Sequence, residues 1–206
     1  MAIKVIVFDF DGTLIDSNKL KYDAFFELFP SDDFRREMIG DVLTESLEET
    51  RCVILREILK RIEERHAKTV DIETRIEGLA SKYNDIVIAG AKTCKEKPGA
   101  TRVLESLSSK YQLYLSSTTP ETALKDIVKH RKWNGYFCGI FGYPKEKIFA
   151  LLEIMQREKV NPNEVLVAGD GEVDRISAKK AGCRFFPVYD DSQLKKLIDE
   201  AEIYLG

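Results

Sequence analysis

The 206-residue sequence is poor in the residues that cross-link or metallate small proteins, with four cysteines and two histidines. Cys52, Cys94, Cys138 and Cys183 are scattered, form no C-x-x-C pair and have no histidine cluster nearby. They read as reduced, mostly buried thiols of a cytoplasmic protein rather than a disulfide framework or a zinc site. His66 and His130 stand alone and read as structural or surface residues. No apolar run approaches the ~20 residues that span a bilayer, so no membrane partner is expected. The opening Met1-Ala-Ile-Lys4 leads into a short apolar stretch that meets Asp9, too short and too soon acidic for a signal peptide. Charge of one sign is lacking as well. Thirty-two basic residues face 35 acidic ones for a net −3, which is not the basic footprint of a nucleic-acid binder. No internal repeat and no low-complexity segment occurs.

What is present is an ordinary globular composition, 44% hydrophobic and 33% charged. A chain of this length buries roughly 70% of its unfolded surface and folds without staples. It suits one domain with a generous insertion, or two small ones. Ile3 to Phe8 is a β-branched and aromatic run the length of one buried strand. From Asn18 to Thr93 apolar residues recur at helical spacing, as in Leu47, Ile54, Ile58 and Ile62, or Ile72, Ile76 and Leu79. That block predicts about four helices and no strand. After Lys97-Pro98-Gly99 the pattern alternates. Helix Ala100 to Ser109, strand Gln112 to Ser116, a helix after Pro120 and the aromatic segment Tyr136 to Phe141 come first. A helix from Glu146, strand Val165 to Ala168, a helix from Val173, strand Arg184 to Val188 and a helix from Ser192 follow. Strands alternating with helices of this length predict βαβ crossovers and a parallel sheet. The expected architecture is an α/β, Rossmann-like core of residues 1–17 and 94–206, with a helical insertion, 18–93, standing over one end of the sheet.

Ligands of open parallel sheets bind beyond the carboxyl ends of the strands. There the first strand delivers Asp9-Phe10-Asp11-Gly12-Thr13, and the second Ser116-Ser117-Thr118-Thr119. The strand before Gly169 delivers Asp170, with Asp174 four residues on, while Lys145 and Lys147 enter the preceding helix. Clustered carboxylates without histidine or cysteine suit a hard cation, Mg²⁺ above all. With a lysine, such a cation offsets phosphoryl charge. One aspartate can then attack phosphorus, and a second, two residues on and pointing the same way from extended chain, can shuttle the proton. Gly12 lets the backbone turn and leaves amides to face phosphate oxygens.

These residues resemble the motifs of the haloacid dehalogenase (HAD) superfamily. Asp9-Phe-Asp-Gly-Thr-Leu14 is similar to its first motif, Tyr111 to Ser117 to its second, and Gly169-Asp-Gly-Glu-Val-Asp174 to its fourth. The helical insertion falls where the family places a C1-type cap, and the resemblance is to its phosphoglycolate phosphatase-like members. It implies Asp9 as nucleophile and Asp11 as general acid/base. It also implies Mg²⁺ held by Asp9, the Asp11 backbone carbonyl, Asp170 and Asp174. Ser117 would bond the phosphoryl group, with Phe10, Gly12 and Thr118 bordering it, and a lysine would hold phosphate and nucleophile together. The dehalogenases lack an acid at the position of Asp11 and the phosphatases carry one. The expected activity is therefore Mg²⁺-dependent hydrolysis of a small phosphorylated metabolite through an aspartyl-phosphate. Cap closure would exclude water, and cap residues would set specificity.

Two motifs leave alternatives open. Four hydroxyl residues in a row allow Ser116 beside Ser117, and Gly142-Tyr-Pro-Lys145-Glu-Lys147 offers two lysines, of which Lys147 at the helix entrance is preferred. Asp16-Ser17 reads as the hinge into the insertion. Lys21, Arg35, Arg36 and Arg51 read as solvated helix faces, and Trp133 and Tyr136 as packing residues. A phosphomutase of the same superfamily, and a signalling receiver module that keeps its phosphoaspartate, are the rival functions. Nothing in the sequence separates a monomer from a homodimer.

Overall fold

A computed structural model describes the chain except residues 1, 31, 47–48, 67–71, 191 and 204–206. Leu47 therefore lies outside the described residues, as does the side chain of His66. The chain divides into two compact units, Met1–Ser17 with Lys92–Gly206, and Asn18–Ala91.

The first unit is built on five parallel strands in the order β3-β2-β1-β4-β5. They are β1 (Val5–Phe8), β2 (Gln112–Pro120), β3 (Gly139–Tyr143), β4 (Val165–Gly169) and β5 (Arg184–Pro187). Residues Val5 to Phe8 are all buried, because β1 is central and pairs with β2 on one side and β4 on the other. This is why its sequence is a continuous apolar run rather than an alternating one. On one face, Val5, Val7, Tyr114, Val165 and Val167 pack against Ala150, Leu151 and Ile154 of α7 (Lys147–Glu158) and Ala178 of α8 (Glu172–Ala181). Helices α5 (Ala100–Ser108) and α9 (Gln193–Ile203) pack on each other, and the Tyr111 hydroxyl donates to the Ala201 carbonyl at 2.9 Å. Helix α6 (Glu121–His130) follows β2 directly. Trp133 is buried with its indole N–H donated to Thr101 Oγ1 at 3.0 Å, the packing role expected of it.

The second unit is helical: α1 (Asn18–Glu27), α2 (Asp33–Glu45), α3 (Arg51–His66) and α4 (Ile72–Thr93), whose last residues belong to the first unit. The helical periodicity is borne out, since Ile54, Ile58 and Ile76 are buried and Ile62, Ile72 and Leu79 pack partly buried against the same cluster. Asp32 caps α2, its carboxylate accepting from the Arg35 N–H at 2.7 Å. Phe25 and Tyr83 join the core with ring centroids 4.6 Å apart.

Strand β2 departs from expectation. It runs on through the hydroxyl residues to Pro120, because the chain continues to pair with β3, with a register shift between Ser116 and Pro120. A run of serine and threonine reads as a strand end, yet Thr is β-branched and extended backbone suits it. β3 is displaced from the aromatic segment toward Tyr143, and β5 stops one residue before Val188.

Candidate active site

The order of the sheet places the ends of β1, β2 and β4 side by side, and these carry the residues singled out from sequence. Asp9 immediately follows β1 and is buried. Lys147, the first residue of α7, is buried too, and its Nζ donates to Asp9 Oδ1 at 2.5 Å and to Asp174 Oδ1 at 2.6 Å. On the other side of Asp9, the Thr13 hydroxyl lies 3.4 Å from Asp9 Oδ2 and 3.2 Å from Asp170 Oδ1. Its single proton serves one of the two at a time. One oxygen each from Asp9, Asp170 and Asp174 lies within 4.8 Å of the others.

Three carboxylates and one ammonium leave this pocket short of positive charge. Burial alone would lower the Lys147 pKa, but the carboxylates of Asp9 and Asp174 hold its ammonium well above the usual lysine range. Burial and then the Asp9 charge push the Asp174 carboxyl up to about 7, against the pull of Lys147. Asp170 is raised by the same two causes in the same order. An all-oxygen set in which burial and the Asp9 charge raise Asp170 and Asp174 fits a hard divalent cation.

Two glycines make this crowding possible. Gly12 has φ of 79°, and a Cβ there would lie 2.0 Å from Asp170 Oδ2. A Cβ on Gly169 would lie 2.4 Å from Asp174 Cγ. The Gly12 amide is not left to face a phosphate as the sequence suggested, because it donates to the Ile15 carbonyl at 2.9 Å. The contribution of Gly12 is the room it leaves beside Asp170.

Asp11 faces a different set of partners. Ser17 Oγ donates to its Oδ1 at 2.7 Å and Thr119 Oγ1 to its Oδ2 at 2.8 Å. In sequence Ser17 reads only as hinge and Thr119 only as one of four hydroxyls, since a hydroxyl–carboxylate pair 108 residues apart leaves no pattern there. Ser116 lines a small cavity with Asp9, Lys147, Leu151, Asp174 and Ser177. Ser117 Oγ accepts the Thr119 N–H at 3.1 Å, which leaves its own proton available to a ligand oxygen.

Three further expected contact residues have the following surroundings. Lys145 pairs with Glu153 and lies 4.9 Å from the Phe141 ring centroid, so the structure joins Lys147, not Lys145, to the carboxylates. The Phe10 side chain is fully buried in the core and only its backbone can border a ligand. Thr118 is exposed and lines a groove of about 350 Å³ with Lys145, Lys147, Tyr143, Val173 and Ile176.

The family model for haloacid dehalogenase-like hydrolases matches residues 6–188, from inside β1 to just beyond β5. The chain belongs to the haloacid dehalogenase-like hydrolase family. It is 28% identical over 103 residues to a phosphoglycolate phosphatase of Vibrio vulnificus, a match covering 47% of this chain and 45% of that protein. The chain thus spans less than half the length of that relative. It is 25% identical over 195 residues to a phosphorylated carbohydrates phosphatase of Thermotoga maritima, covering 87% of this chain and 82% of the relative. Among solved structures, a HAD-hydrolase of Bacillus subtilis, YfnB, bound to magnesium, superposes with a TM-score of 0.72 at 15% identity. That superposition covers 98% of this chain and all of the other, and shows the shared fold. Among the described residues no helix is long and apolar enough to cross a membrane.

Proposed function

We propose that the protein is a Mg²⁺-dependent phosphatase that hydrolyses a small phosphorylated metabolite through an aspartyl-phosphate on Asp9. The observation that carries this reading is Lys147 Nζ bridging Asp9 and Asp174. A buried nucleophile, a fixed cation and further carboxylates then share the edge where the fold binds ligands. The names of the Vibrio and Thermotoga relatives, both phosphatases, support the same reaction class. Asp9, Asp170 and Asp174, with the Asp11 carbonyl, would hold Mg²⁺, as the chemistry of the donor set and the magnesium-bound Bacillus relative support. The bound ion would supply positive charge against the phosphoryl oxygens.

The residues of the chain divide the work. Lys147 fixes one oxygen of Asp9, so the carboxylate keeps its direction as it attacks phosphorus. The Ser117 hydroxyl donates to a phosphoryl oxygen. Asp11, protonated, gives its proton to the departing ester oxygen. As a carboxylate it then takes one from the water that releases phosphate from Asp9. The helical unit Asn18–Ala91 would serve as the family's cap, with specificity among its residues. We assign the activity to the cytoplasm on the strength of four scattered cysteines outside any disulfide, although none is buried as expected: Cys138 is exposed and the other three half-buried.

The test is phosphate release from a panel of phosphorylated metabolites, including 2-phosphoglycolate and sugar phosphates, with Mg²⁺ and with chelator. Turnover should require Mg²⁺ and vanish in Asp9→Asn with the fold intact. Retained metal-dependent release in that variant would remove the mechanism, and isomerisation of a sugar phosphate without release would make the protein a mutase.

A further inference from the structure

We propose that Thr119 is the positioning residue of Asp11, aiming the proton-transfer carboxylate through a hydrogen bond that can persist in both of its protonation states. The proposal rests on the phosphatase reading above, in which Asp11 acts first as acid and then as base.

The geometry begins with the two oxygens of Asp11. Ser17 Oγ takes Oδ1 at 2.7 Å and Thr119 Oγ1 takes Oδ2 at 2.8 Å. A carboxyl group gripped at both oxygens has its plane fixed, as a proton donor aimed at one leaving oxygen requires. The grip at Oδ2 comes from another strand end. Thr119 stands near the end of β2, within the shift in its pairing with β3, and its own N–H is tied to Ser117 Oγ at 3.1 Å. The hydroxyl offered to the phosphoryl group and the hydroxyl aiming the acid thus belong to one short stretch of β2. Asp11 is joined to it across 108 residues.

The choice of a hydroxyl has its own logic. In the first half-reaction the Asp9 oxygen bonds to phosphorus, the ester P–O bond breaks, and the Asp11 proton goes to the departing oxygen. In the second, water oxygen bonds to phosphorus, the Asp9–phosphorus bond breaks, and the water proton goes to Asp11. Asp11 thus alternates between carboxyl and carboxylate in every turnover. A lysine in its place would bring a fixed charge that opposes the protonated form. A threonine hydroxyl is neutral and donates alike to a carboxylate oxygen or to the carbonyl oxygen of the carboxyl, which leaves the Asp11 proton for the departing oxygen.

The experiment compares the unaltered full chain with Thr119→Val and Thr119→Ser on two substrates, reading kcat/KM, which reports the steps up to transfer onto Asp9. One substrate is p-nitrophenyl phosphate, whose leaving group departs as a stable anion and needs no acid. The other is the alkyl phosphate that the unaltered protein hydrolyses fastest. Thr119→Val should lose about tenfold on the alkyl phosphate, the size of one hydrogen bond in a transition state, and keep its rate on p-nitrophenyl phosphate. Thr119→Ser should restore most of the loss. In an Asp11→Asn background Thr119→Val should change nothing further. Activity on p-nitrophenyl phosphate also certifies that the variant is folded, and if Thr119→Val misfolds, Thr119→Ala against Thr119→Ser carries the same comparison. Equal losses on both substrates, no loss on either, or additivity with Asp11→Asn would overturn the proposal and leave the phosphatase reading standing. No turnover by the unaltered protein on any phosphate ester would instead overturn that reading.

Discussion

Replacing Lys147 by methionine removes the cation of the pocket while keeping much of its length and apolar stem. Lys147 is buried and bonds two carboxylates, with Asp170 close behind them. Truncating one partner of a buried ionic group costs about 3–5 kcal/mol, because the other charges stay behind uncompensated. For a chain of this size the loss corresponds to roughly 6–20 °C in melting temperature. The pH dependence then identifies the cause. A lysine raised above its ordinary value contributes its full stabilisation throughout the acid and neutral range, so the dependence comes from the carboxylates. Asp174 already sits near 7 with the ammonium beside it, and without Lys147 it rises further. By about pH 5 it then holds its proton and the repulsion eases. The melting deficit of Lys147→Met, measured with chelator, should therefore be large near pH 8 and shrink toward pH 5, and Mg²⁺ should recover part of it near pH 8. The same deficit at both pH values would refute the electrostatic account and leave only lost packing.

Because the folded-state pKa of Asp174 is raised from 3.8 to about 7, folded protein binds the proton more tightly than unfolded protein. The metal-free chain should lose that contribution as pH rises through 4 to 7, and thermal denaturation in chelator would reveal the slope. Mg²⁺ binding should release a proton near pH 6 and almost none near pH 8.5, measured as a buffer-dependent heat in titration calorimetry; a buffer-independent heat near pH 6 would count against it. Gly12→Ala sets a Cβ 2.0 Å from Asp170 Oδ2 at a φ of 79°. It should weaken Mg²⁺ affinity by about tenfold or more, and unchanged affinity would mean Asp170 is no ligand. Leu55→Ala, at a fully buried position in the helical unit, should cost about 2–5 kcal/mol in denaturant unfolding. A much smaller loss would mean that core is loosely packed.

The sheet and the helical block were legible because each carries its own period. β1 is an unbroken apolar run, and Ile54, Ile58 and Ile76 recur at helical spacing. Asp9, Asp170 and Asp174 were legible because strand ends of a parallel sheet converge, and Lys147 because it opens a helix. The partners of Asp11 were not. Hydroxyls are common, and which of Ser116, Ser117, Thr118 and Thr119 turns toward a given carboxylate depends on the pairing shift in β2. Nor was the inward use of the Gly12 amide, which a closed turn settles and a flexible glycine only permits.

The middle position of β1 has a consequence for how the molecule comes into being. Asp9 leaves the ribosome 138 residues ahead of Lys147 and 165 ahead of Asp174. On the mechanism proposed above, the chemistry cannot switch on in a half-made chain, and a truncated product ending before β4 should carry Asp9 yet be inert.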